Sequence, residues 1–284
     1  VDADSPASLT ALATARFRAT HQLLEGGSVL RDPLAVRIVG EPEDDLRALD
    51  VDRRLRLLVC ARSRYAEEVL AAAVPRGLDQ LVVLGAGLDT FAYRNPYPGL
   101  RVVEIDHPAT QAWKLERLSA AGIAVPDTVS HVSTQFEQDD LGEVLAGCVD
   151  VSRPVLVWWL GVTPYLTLDA ITATLGTLAG LPHCAVVLDH LAQDPRASVF
   201  ARAWEKQRAA RVAAVGEPWI TSLSGEELAR LGERCGFDGV HLEDEAAVVR
   251  RALGRGRGRG PAREPRVTHL ALLTKGWWPD GSPG

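Results

Sequence analysis

Leu81-Val82-Val83-Leu84-Gly85-Ala86-Gly87-Leu88-Asp89-Thr90 is an apolar run that stops at paired glycines, and its reading decides the fold. Consecutive Leu and Val side chains fit a parallel strand buried on both faces. Gly85 and Gly87 then permit positive φ and let a ligand approach bare backbone. The segment from Leu88 to Arg94 is expected to start a helix whose free N–H groups point at that ligand. A second run, Arg101-Val102-Val103-Glu104-Ile105-Asp106, ends in a carboxylate about 20 residues after the glycines, the spacing at which a Rossmann-like unit binds a ribose diol.

The residues around the turn narrow the ligand. A dinucleotide fingerprint needs a third Gly or Ala three residues after Gly87, where the helix packs beside a pyrophosphate, and Thr90 stands there. That argues against NAD and FAD. Asp89 adds a negative charge that repels a pyrophosphate but suits a ligand carrying an ammonium and a sulfonium, as S-adenosylmethionine does. The alternative is an ordinary strand-to-helix turn with no ligand.

A chain of 284 residues accommodates one large α/β domain with additions, or two small ones, and buries a substantial core without staples. Its formal net charge of −6 gives no general affinity for nucleic acid or anionic membrane. Cys60, Cys148, Cys184 and Cys235 are far apart, with no C-x-x-C pair and no His at metal spacing, so neither a zinc site nor a disulfide framework is supported. No apolar run approaches bilayer length and the N-terminus lacks a signal-like apolar stretch, so a soluble cytoplasmic protein is expected.

Upstream of the glycine turn, residues 1 to about 24 have loosely helical apolar spacing; Arg16, Arg18 and His21 are either a solvated face or a basic mouth for an acidic substrate. Pro33 enters a short helix with Asp32 as its cap. Residues 52–73 form a strongly amphipathic helix ended by Pro75 and Gly77. Arg62 falls on or beside its apolar stripe, where a guanidinium either snorkels outward or meets an anion such as a ligand carboxylate.

Downstream, a helix over 108–121, a strand over 128–132, an acidic helix near 140–147 and strands over 154–160 and 184–190 alternate as in a doubly wound parallel sheet. Ligands on such sheets sit beyond the carboxyl ends of the strands, which sets Gly85, Asp106, Leu160 and His190 along one crevice. Residues 191–221, with Phe200, Trp204 and Trp219, form a lid candidate. After a helix over 225–235, strands over 236–242 and 268–274 are expected to close the sheet as an antiparallel pair with no helix between them. Between them the Arg-Gly tract at 255–260 reads as a flexible loop and not as a nucleic-acid-binding segment.

Leu84-Gly85-Ala86-Gly87-Leu88-Asp89-Thr90-Phe91-Ala92-Tyr93-Arg94, Val103-Glu104-Ile105-Asp106-His107-Pro108 with Lys114, and Gly161-Val162-Thr163-Pro164-Tyr165-Leu166 together resemble the leucine carboxyl methyltransferase family. They look most like its bacterial branch, which includes the tetracenomycin carboxyl methyltransferase. The resemblance runs from Arg31-Asp32-Pro33 to the last strand. It implies a Rossmann-like class I methyltransferase: an α/β fold with a mostly parallel seven-stranded sheet, a C-terminal antiparallel pair and helical lid elements. Residues 1–77 would be a helical cap, and 78–284 the core with a lid insertion around 191–221.

By the same resemblance the cofactor is S-adenosylmethionine, the product S-adenosylhomocysteine, and no metal is needed. Arg62 matches the arginine that binds the methionine carboxylate. Gly85, Ala86, Gly87 and Asp89 match the cofactor turn, and Asp106, followed by His107, matches the acid that takes the ribose hydroxyls. Two positions depart from the family. Gln135-Phe136 stands where Asp-Phe or Asp-Leu usually holds the adenine, and Leu160 stands where a Glu usually lies near the methionine amino group, which leaves that group to Asp89 or to backbone carbonyls.

The expected reaction is O-methylation of a small-molecule carboxylate or phenol of secondary metabolism, with an acidic or aromatic, polyketide-like acceptor. Arg16, Tyr165 and Trp204 are the proposed acceptor contacts. A carboxylate is already ionised at neutral pH, whereas a phenol benefits from a base, for which His190 is the candidate. The alternative reading of His190 is a strand-end residue hydrogen-bonded to the lid. The expected assembly is a monomer or homodimer. The rival reading, raised by Leu160 and Gln135, is a cofactor-binding protein of the same fold with lost or atypical catalysis.

Overall fold

Gln80–Leu84 (β1) is buried along its whole length because both faces of its sheet are covered. Leu81 and Val83 face a core shared with Tyr65, Val69 and Leu70, while Val82 and Leu84 face a second one with Leu175 and Leu178. A strand covered on both sides needs no polar alternation, hence the unbroken aliphatic run. The computed structural model describes residues 8–49, 52–136, 138–191, 218–254 and 268–276. Within them the further strands are Arg101–Asp106 (β2), Val129–Ser133 (β3), Val155–Trp159 (β4), Cys184–Leu191 (β5), Gly239–Glu243 (β6) and Thr268–Lys275 (β7).

The strands form one seven-stranded sheet in the order β3-β2-β1-β4-β5-β7-β6. β1 to β5 run parallel, and β7 pairs antiparallel with both β5 and β6. The chain winds outward from β1 through β2 and β3, then returns to the opposite side of β1 as β4. The carboxyl ends of β1 and β4 therefore border a topological switch point, where sheets of this kind open a ligand crevice. Helices on both faces complete the Rossmann-like class I methyltransferase fold.

Leu9–Glu25 (α1), Leu34–Val39 (α2), Glu43–Ala48 (α3) and Arg53–Ala73 (α4) precede the sheet. The Asp52 carboxylate caps α4 by accepting the Arg54 N–H at 2.9 Å, and Asp32 accepts the Ala35 N–H at 3.2 Å at the start of α2. The apolar stripe of α4 packs on the sheet with Phe91 and Trp158. By contrast α1 to α3 pack around Ala15, Ala19, Ile38 and Leu46, and that cluster reaches Leu88 and the Leu118 of Pro108–Ala120 (α5). Leu141–Cys148 (α6), Leu168–Ala179 (α7) and Gly225–Cys235 (α8) cover the other face.

Two expectations are corrected. The segment from Leu88 to Arg94 makes no α-helix, only a 3₁₀ turn at Phe91–Tyr93. The Leu88 carbonyl that would accept a helical bond is taken by the Arg18 guanidinium at 2.6 Å, and the Asp89 carboxylate takes the Phe91 N–H at 2.7 Å. The connection between β6 and β7 does contain a helix, Glu245–Ala252 (α9), capped by Asp244 accepting from the Ala246 N–H at 3.0 Å. Its flanking charges hide a short apolar face on which Val248 reaches the core. Residues 192–217, including Phe200 and Trp204, and the tract at 255–260 lie outside the described residues.

Candidate functional site

The loop after β1 extends the sheet before leaving it, since the Gly85 N–H donates to the Ile105 carbonyl at 2.8 Å. Gly85 and Gly87 both have positive φ, at 68° and 46°. A Cβ on Gly85 would stand 2.5 Å from Val162 Cγ2, and one on Gly87 would stand 3.1 Å from the Ala11 Cβ, so packing as well as backbone conformation demands glycine. Asp106, at the end of β2, fixes the turn: its Oδ2 accepts the Gly87 N–H at 2.5 Å and its Oδ1 the His107 N–H at 2.7 Å. Burial raises the Asp106 pKa, and the two amides and Lys114 offset that only in part.

Arg18 holds the far side of the turn from α1. Its Nε donates to Asp32 Oδ2 at 3.0 Å and its Nη2 to the Leu88 carbonyl. Asp32 is buried, and it also accepts from the Thr90 hydroxyl at 2.5 Å and lies 3.4 Å from Arg94. Asp89 sits between these cations. Burial by itself would raise its pKa, but Arg18, Lys114, Arg94 and the Phe91 N–H together hold it below the usual aspartate value. Asp89 is therefore an anion at neutral pH.

Arg62, on α4, reaches the loop that follows β4. Its Nη1 donates to Asp189 Oδ2 at 3.1 Å, and its guanidinium lies so close to Gly161 that a Cβ there would stand 2.8 Å from Nη2. Burial disfavours the Arg62 charge, yet Asp189, Glu245 and Tyr165 more than compensate and raise its pKa. These groups border a cavity of about 500 Å³ whose wall includes Arg18, Arg62, Gly85 to Asp89, Asp106 and His107. Leu160, Val162, Tyr165 and Leu166 line it too, and Phe136 and Ile220, 42% and 58% exposed, stand at its rim.

Most of the residues singled out in the sequence thus meet at one cavity: Arg62, Gly85, Ala86, Gly87, Asp89, Asp106, His107, Phe136, Leu160 and Tyr165. Gln135 is not on its wall; its N–H donates to Asp139 at 2.7 Å. Arg16 does not line it either. The Arg16 guanidinium is engaged by Glu41 at 2.8 Å, and Arg18, two residues along the same helix, is the α1 arginine that faces the cavity. Trp204 lies outside the described residues. Sequence reasoning missed Arg18 as the partner of the turn and missed Asp189 altogether. The available signal for Asp189 was a carboxylate ending the apolar run of β5, where an ionised group needs a partner.

His190 is 2% exposed on β5 and is not part of the cavity wall. Its Nδ1 lies 3.0 Å from the Leu223 carbonyl, so this nitrogen carries the proton, and its ring stacks on His269 with centroids 5.6 Å apart. Burial first, and His269 second, push its pKa down to about 4. The folded value lies below the unfolded value of 6.5, so the unfolded chain takes up the proton first as pH falls. Stability from the neutral ring is complete above pH 6.5 and is lost toward pH 4. Between pH 7 and pH 5 the protein is expected to lose about 2 kcal/mol on this account, a loss that His190→Gln abolishes in urea melts at the two pH values.

Among the described residues no group of three or more His, Cys, Asp or Glu side chains is placed to hold a metal ion, and no helix is long and apolar enough to cross a membrane.

Residues 11–179 match the leucine carboxyl methyltransferase family. A candidate S-adenosyl-L-methionine-dependent methyltransferase of Mycobacterium bovis is 30% identical over 297 residues, covering 89% of this chain and 92% of its own length. The YktD protein of Bacillus subtilis, another candidate S-adenosyl-L-methionine-dependent methyltransferase, is 28% identical over 226 residues, 77% of this chain and 73% of its own. The crystal structure of a candidate methyltransferase from Thermobifida fusca superposes with a TM-score of 0.57 at 16% identity, covering 92% of this chain and 94% of that one, a likeness of fold.

Proposed function

The chain belongs to the leucine carboxyl methyltransferase family, and from that premise we propose that it is an S-adenosylmethionine-dependent O-methyltransferase acting on the carboxylate of a small-molecule acceptor. The observation that carries this reading is the set of groups gathered at one cavity: the glycine turn, the carboxylates Asp89 and Asp106, and the Arg62 guanidinium. This donor set fits a nucleoside whose other end is a cationic amino acid. Asp106 would accept the ribose hydroxyls, Arg62 the ligand carboxylate, Asp89 would face the positive charges, and Phe136 would flank the base. When bound, S-adenosylmethionine supplies an activated methyl on a sulfonium.

The chain's own contribution is to hold cofactor and acceptor in line and keep water out. The candidate base, His190, is committed to Leu223 and does not border the cavity. An acceptor that arrives already ionised needs no such base, which favours a carboxylate over a phenol. Tyr165, Leu166 and the rim residue Ile220 offer this acceptor apolar and aromatic surface. An aromatic acid of secondary metabolism fits that wall.

Calorimetric titration is expected to show one site per chain for S-adenosylmethionine and for S-adenosylhomocysteine, and a flat titration overturns the reading at its root. Incubation with aromatic acids and with phenols, followed by mass spectrometry, is expected to give methyl esters; methyl ethers alone would refute the carboxylate assignment. A second reading, a cofactor-binding protein without turnover, is favoured by Leu160 in place of the family's usual carboxylate. Tight binding with no transfer to either class of acceptor would select it.

A further inference from the structure

We propose that Asp189 is a positioning residue, an inference that rests on the cofactor reading above: it clamps Arg62 against the loop after β4 so that the free face of the guanidinium meets the ligand carboxylate. Asp189 is 3% exposed and does not itself line the cavity, whereas Arg62 does. Its two carboxylate oxygens serve two different elements. Oδ2 accepts from Arg62 Nη1 on α4 at 3.1 Å, and Oδ1 accepts the Gly161 N–H at 2.5 Å. Its backbone carbonyl also accepts from the Thr163 hydroxyl at 2.6 Å.

One residue of β5 therefore ties the cation to the Gly161–Tyr165 loop, and that loop carries Val162 and Tyr165 to the cavity wall. The fit is close on the other side as well. Gly161 has φ 73°, and a Cβ there would collide with the guanidinium, so the cation rests on bare backbone. At Leu160 the loop carries no carboxylate, and the anion that holds Arg62 comes from the neighbouring strand. Glu245, buried at the start of α9, lies close enough to support the same charge. With its position fixed from behind, Arg62 loses less freedom when it meets a ligand carboxylate.

Asp189→Asn tests this, because an amide retains the size but cannot accept both bonds; whichever way it turns, one clamp is lost. Two nucleosides are titrated by calorimetry, S-adenosylhomocysteine and 5′-methylthioadenosine, which lacks the amino-acid end. The variant is expected to bind S-adenosylhomocysteine about tenfold more weakly and 5′-methylthioadenosine within about twofold of wild type, the size of one charge-assisted bond. In an Arg62→Gln background the Asn change is expected to add nothing further, since it acts through the missing guanidinium. Equal weakening of both nucleosides, or full additivity with Arg62→Gln, overturns the proposal. A wild-type protein that binds neither nucleoside overturns the cofactor reading instead. If Asp189→Asn fails to fold, Gly161→Ala displaces the guanidinium from the opposite side, and the same selective loss of S-adenosylhomocysteine is expected.

Discussion

Lys114→Ala is expected to lower the unfolding free energy by about 3–5 kcal/mol, the cost of leaving a buried charge without its partner. Lys114 Nζ stands 2.7 Å from Glu104 Oε2, with the two side chains 2% and 1% exposed. The Tyr93 hydroxyl donates to the same oxygen at 2.7 Å, and His131 Nε2 lies 3.4 Å from it. The ammonium also lies 5.4 Å from the Tyr93 ring centroid, a cation–π contact. Removing the lysine leaves a carboxylate between β2 and α5 with only a phenol and an imidazole to answer it. Chemical denaturation with a circular-dichroism readout measures the loss. Replacing both members at once, as Lys114→Met with Glu104→Leu, is expected to recover most of it, because an apolar pair of similar volume removes the desolvation cost together with the attraction. A single Lys114→Ala variant as stable as wild type would show that water reaches Glu104.

Asp106→Ala is expected to weaken S-adenosylhomocysteine binding by about a hundredfold, the combined size of two charge-assisted hydrogen bonds. On the proposed reading the carboxylate has two tasks. It holds the Gly87 and His107 amides in the conformation that exposes the turn, and it offers its remaining lone pairs to the ribose hydroxyls. Alanine removes both. Asp106→Asn retains one acceptor but sets an amide N–H against a backbone N–H, so an intermediate loss is expected. The effect is also expected on 5′-methylthioadenosine, which still carries the ribose; this separates it from the Asp189→Asn loss, confined to the amino-acid end. Affinity for both ligands unchanged in Asp106→Ala would remove the residue from the site.

The parallel half of the sheet was legible because burial on both faces leaves a mark in the chain itself: apolar runs without polar alternation at Leu81–Leu84 of β1, along β4 and over Cys184–Leu188 of β5. The glycine turn and Asp106 were legible for a similar reason, since they are local features at the ends of consecutive strands. What escaped depends on contacts between distant segments. The missing helix after β1 follows from Arg18 taking the Leu88 carbonyl, a contact spanning 70 residues. Asp189 serves Arg62 from 127 residues away. Arg16 and Arg18 lie close together on a helix whose apolar spacing is loose, so nothing in the sequence said which would face the cavity and which would pair with Glu41. The α9 helix was hidden by its charges. The packing of Val248, with Val249 and Ala252 beside it, marks its inner face.

The placement of β7 has a consequence for the order in which the molecule can be completed. It occupies the slot between β5 and β6, yet it follows both in the chain. During synthesis β1 to β5 can pair as they emerge, but the outer edge of β5 stays unsatisfied until the ribosome has delivered residues through Lys275. For that interval the nascent protein exposes a long, mostly apolar strand edge, the kind of surface that recruits other strands. Chains interrupted between β6 and β7 are therefore expected to be trapped by chaperones or to aggregate, even though every described residue that lines the cavity has already been made.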